Sequence, residues 1–194
     1  MTSIALARWQ NERFLQLDEV ENAHQAIGGQ GPGRRYETQQ LNHAFVLLLA
    51  AQFQGFCRDL HGEIVDFAAN AVGGPGGLIL KEELTKDRKL DRGNANPASL
   101  GADFGRLKVL FWNSVHSLDR RNELRQDRLE QLNIWRNAIA HQDFDPEKLG
   151  RASKDTSLQL AEVRRWREAC NQLAIHFDEA VGAKLATDFG KTPW

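Results

Sequence analysis

This 194-residue chain has only two cysteines, one tyrosine and a formal net charge of −1. Cys57 and Cys170 cannot make a disulfide framework. Both stand in apolar, helical contexts, where a buried free thiol is the ordinary state, and this fits a reducing cytoplasm. A charge near zero creates no global field for nucleic acid, so any such affinity must come from a local basic patch. The longest apolar run, residues 44–51, is eight residues. A membrane-spanning helix needs about 20. Met1-Thr2-Ser3-Ile4-Ala5 runs into Arg8, Glu12 and Arg13 without a basic start and an apolar core, so no secretory signal is expected. No serine stands in a Gly-x-Ser-x-Gly context, which argues against an elbow hydrolase. The glycines of residues 28–33 follow no strand and precede no Gly-Lys-Ser/Thr, which argues against a phosphate-binding loop. There is no strand alternation, no long-period repeat and no low-complexity tract.

What is present is helical periodicity over a chain that is 41% apolar. Residues 3–27 read as a helix stopped by Gly28-Gly29, and residues 28–33 as a flexible link. The strongest signal lies in residues 37–72. Leu41, Phe45, Leu48, Leu49, Phe53, Phe56, Leu60, Ile64 and Phe67 recur every three or four positions, as in a central core helix. Residues 73–77, four glycines and a proline, are expected to end it. Residues 78–90 suggest a short peripheral helix, 91–101 a turn region and 102–116 another helix. Residues 118–140 form a helix with Leu118, Leu124, Leu129, Leu132, Trp135 and Ile139 in its stripe. Residues 142–156 form a loop. A last helix runs to about residue 187, with Asp155, Thr156 or Ser157 as its N-cap and a frayed tail beyond. The expected architecture is all-α: one domain over residues 1–194, an up-and-down bundle with inserted short helices and an elaboration at 78–116.

Chemistry concentrates in Trp135-Arg136-Asn137-Ala138-Ile139-Ala140-His141, where Asp143, Asp145 and Pro146 stop the helix. Asn137 and His141 are four apart and share a face. Arg136 and His141 are five apart and point roughly 140° away from each other. One copy therefore does not aim both at one atom, but two copies about a two-fold axis can line one cleft with two arginines and two histidines. As bare spacing the pattern is weak, because arginine snorkels beside apolar stripes and histidine suits a helix C-terminus. The setting adds weight. Arg136 borders the apolar face, and Ala138 and Ala140 leave room around His141.

Other candidates carry less. Cys57 and His61 are four apart, but no second pair has ligand spacing, so no metal or other cofactor is expected. His24, His43, His116 and His176 stand alone. Arg121-Asn122 starts like the main motif, but Gln126 stands where a histidine is needed. Arg120, Arg121, Arg125, Arg128, Arg151, Lys154, Arg164, Arg165 and Arg167 form the best basic set. About half are expected to pair with Glu123, Asp127, Glu130, Glu162 and Glu168, leaving the rest for phosphates.

Arg136-Asn137-Ala138-Ile139-Ala140-His141 resembles the R-N-x-x-x-H signature of the HEPN superfamily. The long helix with Gln54-Gly55-Phe56 and Arg58-Asp59-Leu60 is similar to the second helix of stand-alone RiboL-PSP-type members. The likeness covers residues 36–72 and 118–187, and leaves the first helix and the insert unexplained. It implies a metal-independent endoribonuclease, a cytoplasmic homodimer with the motif at its interface, in a toxin–antitoxin or anti-phage system. An antitoxin or regulatory protein is the implied further partner. His141 would be the general acid/base at the ribose 2′-hydroxyl or the leaving oxygen, Arg136 would stabilise the phosphorane, and Asn137 would line the site and orient His141. RNA alone carries that hydroxyl, so DNA should survive. Two residues depart from the pattern. Gln54 replaces an acid, for which Asp59 or Glu63 would substitute, and Asp143 replaces the tyrosine that partner nucleotidyltransferases modify. The rival expectations are a non-catalytic helical module that binds a protein or nucleotide, and a metal-binding bundle.

Overall fold

The computed structural model describes residues 1–28, 35–150 and 157–194. The chain is an all-α bundle, and among the described residues there is no strand. Helix α1 (Ile4–Arg8) passes through a π-helical turn (Trp9–Arg13) into α2 (Phe14–Gly28). Ser3 caps the start, its hydroxyl accepting from the Leu6 amide at 3.0 Å. The wider π turn holds an extra residue. Trp9 and Phe14, five apart, then meet edge-on with centroids 6.0 Å apart. Trp9 is fully buried against Phe53 and Phe56.

Helix α3 (Arg35–Val72) is the centre, packing against α1, α2, α8 and α9. Phe45, Leu49, Phe53, Phe56, Leu60 and Ile64 from its stripe are buried. Leu41, Leu48 and Phe67 sit at the margin. The expected flexible link is outside the described residues apart from Gly28, which ends α2.

Residues 73–77 do more than stop α3. Gly73 turns the chain at φ +72, but Gly74 already opens α4 (Gly74–Thr85), with Pro75 in its first turn. Proline is suited there because its missing N–H is one the helix does not use. A Cβ on Gly77 would overlap the Ala69 carbonyl oxygen, so glycine lets α4 lie directly on α3. The region expected as turns, 91–101, holds the end of α5 (Lys89–Arg92) and the start of α6 (Pro97–Gly105). Asn96 caps α6, its side chain accepting from Ser99 N at 2.8 Å. The helix expected over 102–116 is split. α6 ends at Gly105, Lys108 takes a left-handed turn at φ +59, and α7 (Phe111–Leu118) follows. The elaboration is also part of the core rather than a surface addition. Leu90, Ala95, Leu100, Phe104, Phe111 and Val115 are buried in the same cluster as α3. Phe104 stacks on Phe111 at 4.5 Å, and Phe111 meets Phe177 of the last helix at 4.7 Å.

Helix α8 runs Asn122–His141. Leu129, Leu132, Trp135 and Ile139 face inward as expected, but Leu118 and Leu124 are exposed. Helix α9 is Leu160–Phe189, starting later than expected. Ser157 is not its cap, and Asp155 and Thr156 fall outside the described residues. Gln159 caps it in a reciprocal box with Glu162, whose carboxylate accepts from Gln159 N at 3.2 Å. The tail turns back instead of fraying, and Trp194 packs over Gly182. Cys57 and Cys170 are buried free thiols, and burial pushes both well above the usual thiol range. No described helix is long and apolar enough to cross a membrane.

Candidate functional site

The C-terminus of α8 presents Arg136, Asn137 and His141 at the surface, the arginine half-buried and the other two exposed. Gln142 ends the helix in the left-handed region at φ +55. The Asp143 amide donates back to Ala138 O at 3.0 Å, and the Gln142 side chain to Ile139 O at 2.7 Å. These bonds satisfy carbonyls a helix end leaves open. The loop beyond is held in place. Phe144 stacks on His43 of α3, centroids 5.4 Å apart, and Asp143 accepts from Lys148 Nζ at 2.6 Å. The Lys148 ammonium holds the Asp143 carboxyl below its ordinary range.

Arg136 and His141 do diverge as the helical spacing predicts. His141 opens into a hollow of about 290 Å³ with Ala138, Asp143, Lys148 and Leu149 on its walls. Arg136 opens into a separate polar hollow of about 390 Å³, shared with Gln54, Asp91, Arg92, Gly93 and Asn94. Asn137 borders both. No hydrogen bond joins Arg136 to His141 among the described residues, and the His141 ring makes none there.

Asn137 is the hub. Its side-chain oxygen accepts from Arg136 Nη1 at 3.2 Å and from Asn94 Nδ2 at 2.6 Å. Two donors on the oxygen fix which end of the amide is which, leaving the Asn137 NH2 to donate elsewhere. One turn earlier, buried Asn133 donates to Ala95 O at 3.2 Å and to Leu129 O at 2.8 Å. Two asparagines of α8, four residues apart, thus pin consecutive residues of the insert. Sequence reading missed both Asn94 and Asn133. The one available signal was Asn133 standing next to Leu132 in an otherwise apolar stripe.

The substitutes expected for an acid at position 54 are engaged elsewhere. Asp59 pairs with Arg13 at 2.7 Å and Arg8 at 3.3 Å. Glu63 caps α1, accepting from Ile4 N at 3.0 Å and Ala5 N at 2.6 Å. Burial raises the Glu63 carboxyl above its usual range. Gln54 does line the Arg136 hollow, but it spends its amide on Leu90 O and Gly93 O, at 2.9 and 2.6 Å. Among the described residues no carboxylate pairs with Arg136, so its charge faces the hollow uncancelled.

The remaining candidates resolve as structure. His61 is buried, its Nε2 facing Asp103 O at 3.3 Å, and burial followed by the nearby Arg88 charge lowers its pKa to about 4. Among the described residues no three His, Cys, Asp or Glu come together to hold a metal. Asn122 of the false motif is buried, accepting from Arg125 Nη1 at 2.7 Å and meeting His176 Nδ1 at 3.0 Å. Gln126 meets His116 at 2.7 Å. Among the described residues the arginine pairings differ from those expected. Arg121 and Arg125 pair with Asp119, Arg164 with Glu21, and Arg167 with Asp18 and Glu21. Arg120, Arg128 and Arg165 have no ion pair among the described residues, and Arg151 and Lys154 lie outside them. Set against models of known families, curated proteins and solved structures, the chain matches none.

Proposed function

We propose that this chain is a metal-independent endoribonuclease of the HEPN type, a toxin or anti-phage effector that works as a homodimer in the cytoplasm. The observation that carries the reading is the asymmetry about Asn137. An arginine unpaired with any carboxylate among the described residues opens on one side, and an exposed histidine on the other. A second copy across a two-fold axis brings the histidine of one protomer toward the arginine of its partner.

In the proposed reaction the ribose 2′-oxygen attacks the adjacent phosphorus and the bond to the 5′-oxygen breaks. His141 takes the 2′-hydroxyl proton, and a histidine in the imidazolium form returns one to the leaving oxygen. The products are a 2′,3′-cyclic phosphate and a 5′-hydroxyl end. Arg136 stabilises the charge that grows on the phosphorane oxygens, and Asn137 holds the arginine in place. An unrestrained nuclease of this kind needs an inhibitor, which makes an antitoxin or regulatory protein its natural partner.

The test incubates wild type and His141→Ala with total RNA and a defined tRNA in the presence of chelator. The proposal expects cleavage by wild type alone, with DNA untouched. Intact RNA in every wild-type reaction, or equal cutting by His141→Ala, overturns it. A second reading, a non-catalytic binding module, draws on the separation of Arg136 and His141 into different hollows of one chain. A monomer in solution that leaves RNA intact would establish it.

A further inference from the structure

Resting on the nuclease reading, we propose that the hollow between the insert and α8 binds the sugar–phosphate next to the scissile bond. Its walls are Gln54, Asp91, Arg92, Asn94, Arg136 and Asn137. This gives the 78–116 elaboration a task in substrate binding, because Asp91, Arg92, Gly93 and Asn94 all come from it.

Four features of the hollow support this. The first is size. At about 390 Å³ the hollow has room for a ribose with its phosphate. The second is polarity. Its lining is amide, guanidinium and carboxylate, which suits an anionic, hydroxyl-rich ligand and not an apolar one. The third is charge. Asp91 is the one acid on the wall among the described residues, and both its oxygens are already held by Arg88, at 3.0 and 2.7 Å. Arg92 is held from outside the hollow by Asp87, and Arg136 by the neutral Asn137 oxygen. The balance facing a ligand is positive. The fourth is preorganisation. Gln54 clamps the Leu90 and Gly93 carbonyls, and Asn94 is tied to Asn137, so the wall is fixed before a ligand arrives. Asn137 lines both this hollow and that of His141, with its NH2 left to donate. A strand whose scissile phosphate lies between Arg136 and the partner's His141 would lay its neighbouring sugar–phosphate against Arg92 and Asn94.

The test is fluorescence anisotropy of the full chain with a 2′-O-methylated oligoribonucleotide. The probe keeps the phosphates but has no free nucleophile, so it binds without being cut. Arg92→Ala should weaken binding about tenfold, the loss of one charge-assisted hydrogen bond. It should also lower the slope of log K against log salt by about 0.7, one phosphate contact on a single strand. Asn94→Asp should weaken binding at least as much, because its carboxylate would face Arg136 and repel phosphate. Lys81→Ala, an exposed cation on α4 paired with Asp66, serves as the control outside the hollow and should bind as wild type does. Arg92 is 73% exposed, so its loss leaves the fold intact, and a circular dichroism melt verifies this.

Failure of the subsite and failure of the nuclease reading are distinguishable. Wild-type affinity and salt slope in both hollow variants, or no wild-type binding, overturns the subsite even where unmodified RNA is cut in a His141-dependent way. Arg92-dependent binding by a protein that cuts no RNA supports the subsite and removes the nuclease reading.

Discussion

Replacing Asn133 tests the joint between the insert and α8. The side chain is 5% exposed and its amide donates to the carbonyls of Ala95 and Leu129. Leu129 O lies inside a helix and keeps its helical bond. Ala95 is buried and lies between helices, so Asn133→Ala leaves its carbonyl without that donor. A buried acceptor stripped of its donor costs about 1–3 kcal/mol. For a chain of this size each kcal/mol lowers Tm by about 2–4 °C, so the variant should melt about 2–12 °C below wild type. Asn133→Asp sharpens the argument. Its carboxylate would face two carbonyl oxygens, which raises its folded-state pKa. Its protonated form again donates, so its stability is present at low pH and lost as pH rises. Thermal unfolding by circular dichroism should put Asn133→Asp below Asn133→Ala at pH 7, with the gap closing toward pH 4. Neighbouring Asn94 is the residue tied to Asn137, so oligonucleotide affinity should fall alongside. An Asn133→Ala variant melting within about 1 °C of wild type, half of the smallest drop that a stripped buried acceptor predicts, would refute the reasoning.

Gly77→Ala should destabilise by about 1–3 kcal/mol, since its methyl overlaps the Ala69 carbonyl oxygen, whereas Gly76→Ala meets only Val72 Cγ1 at 3.4 Å and should be close to neutral. Urea midpoints measure both, and equal midpoints would show that α4 does not rest on the α3 backbone there. His61, buried and lowered to about 4, is neutral in the native state and takes a proton more readily when unfolded. The stability it contributes is present above its ordinary pKa of about 6.5 and lost as pH falls through about 4, up to about 3 kcal/mol. Denaturant unfolding of His61→Gln should show a smaller loss between pH 7 and 4 than wild type. Parallel curves would assign the pH dependence to other groups.

The long-period features were legible in the sequence. The stripe from Phe45 to Ile64 predicts the central helix, found as Arg35–Val72, and the divergence of Arg136 and His141 follows from 100° per residue alone. Short-range punctuation misled where one residue type has two uses. Pro75 and Pro97 read as breakers, yet each sits in the first turn of a helix, where its missing N–H costs nothing. Gly77 read as a stop, yet it serves close packing on Ala69. Periodicity carries no information on which distant residues share a bond, so Asn94–Asn137 and Asn133–Ala95, 43 and 38 positions apart, were invisible. For the same reason Asp59 and Glu63 were natural stand-ins for the acid missing at position 54. Only the placement of Arg13 and of the α1 N-terminus shows that both are occupied.

The central claim is that two copies build one site, His141 from one protomer acting with Arg136 of its partner. The direct measurement co-expresses Arg136→Ala and His141→Ala chains with different tags, purifies the mixed dimer and assays it on RNA in chelator. Each variant alone should be inactive. The mixed dimer keeps one intact arginine and one intact histidine in its cleft, so it should recover up to about half of wild-type cleavage. A mixed dimer as inactive as its parents, beside an active wild type, would contradict the shared site, and a His141→Ala homodimer that cuts RNA would remove the histidine from the chemistry.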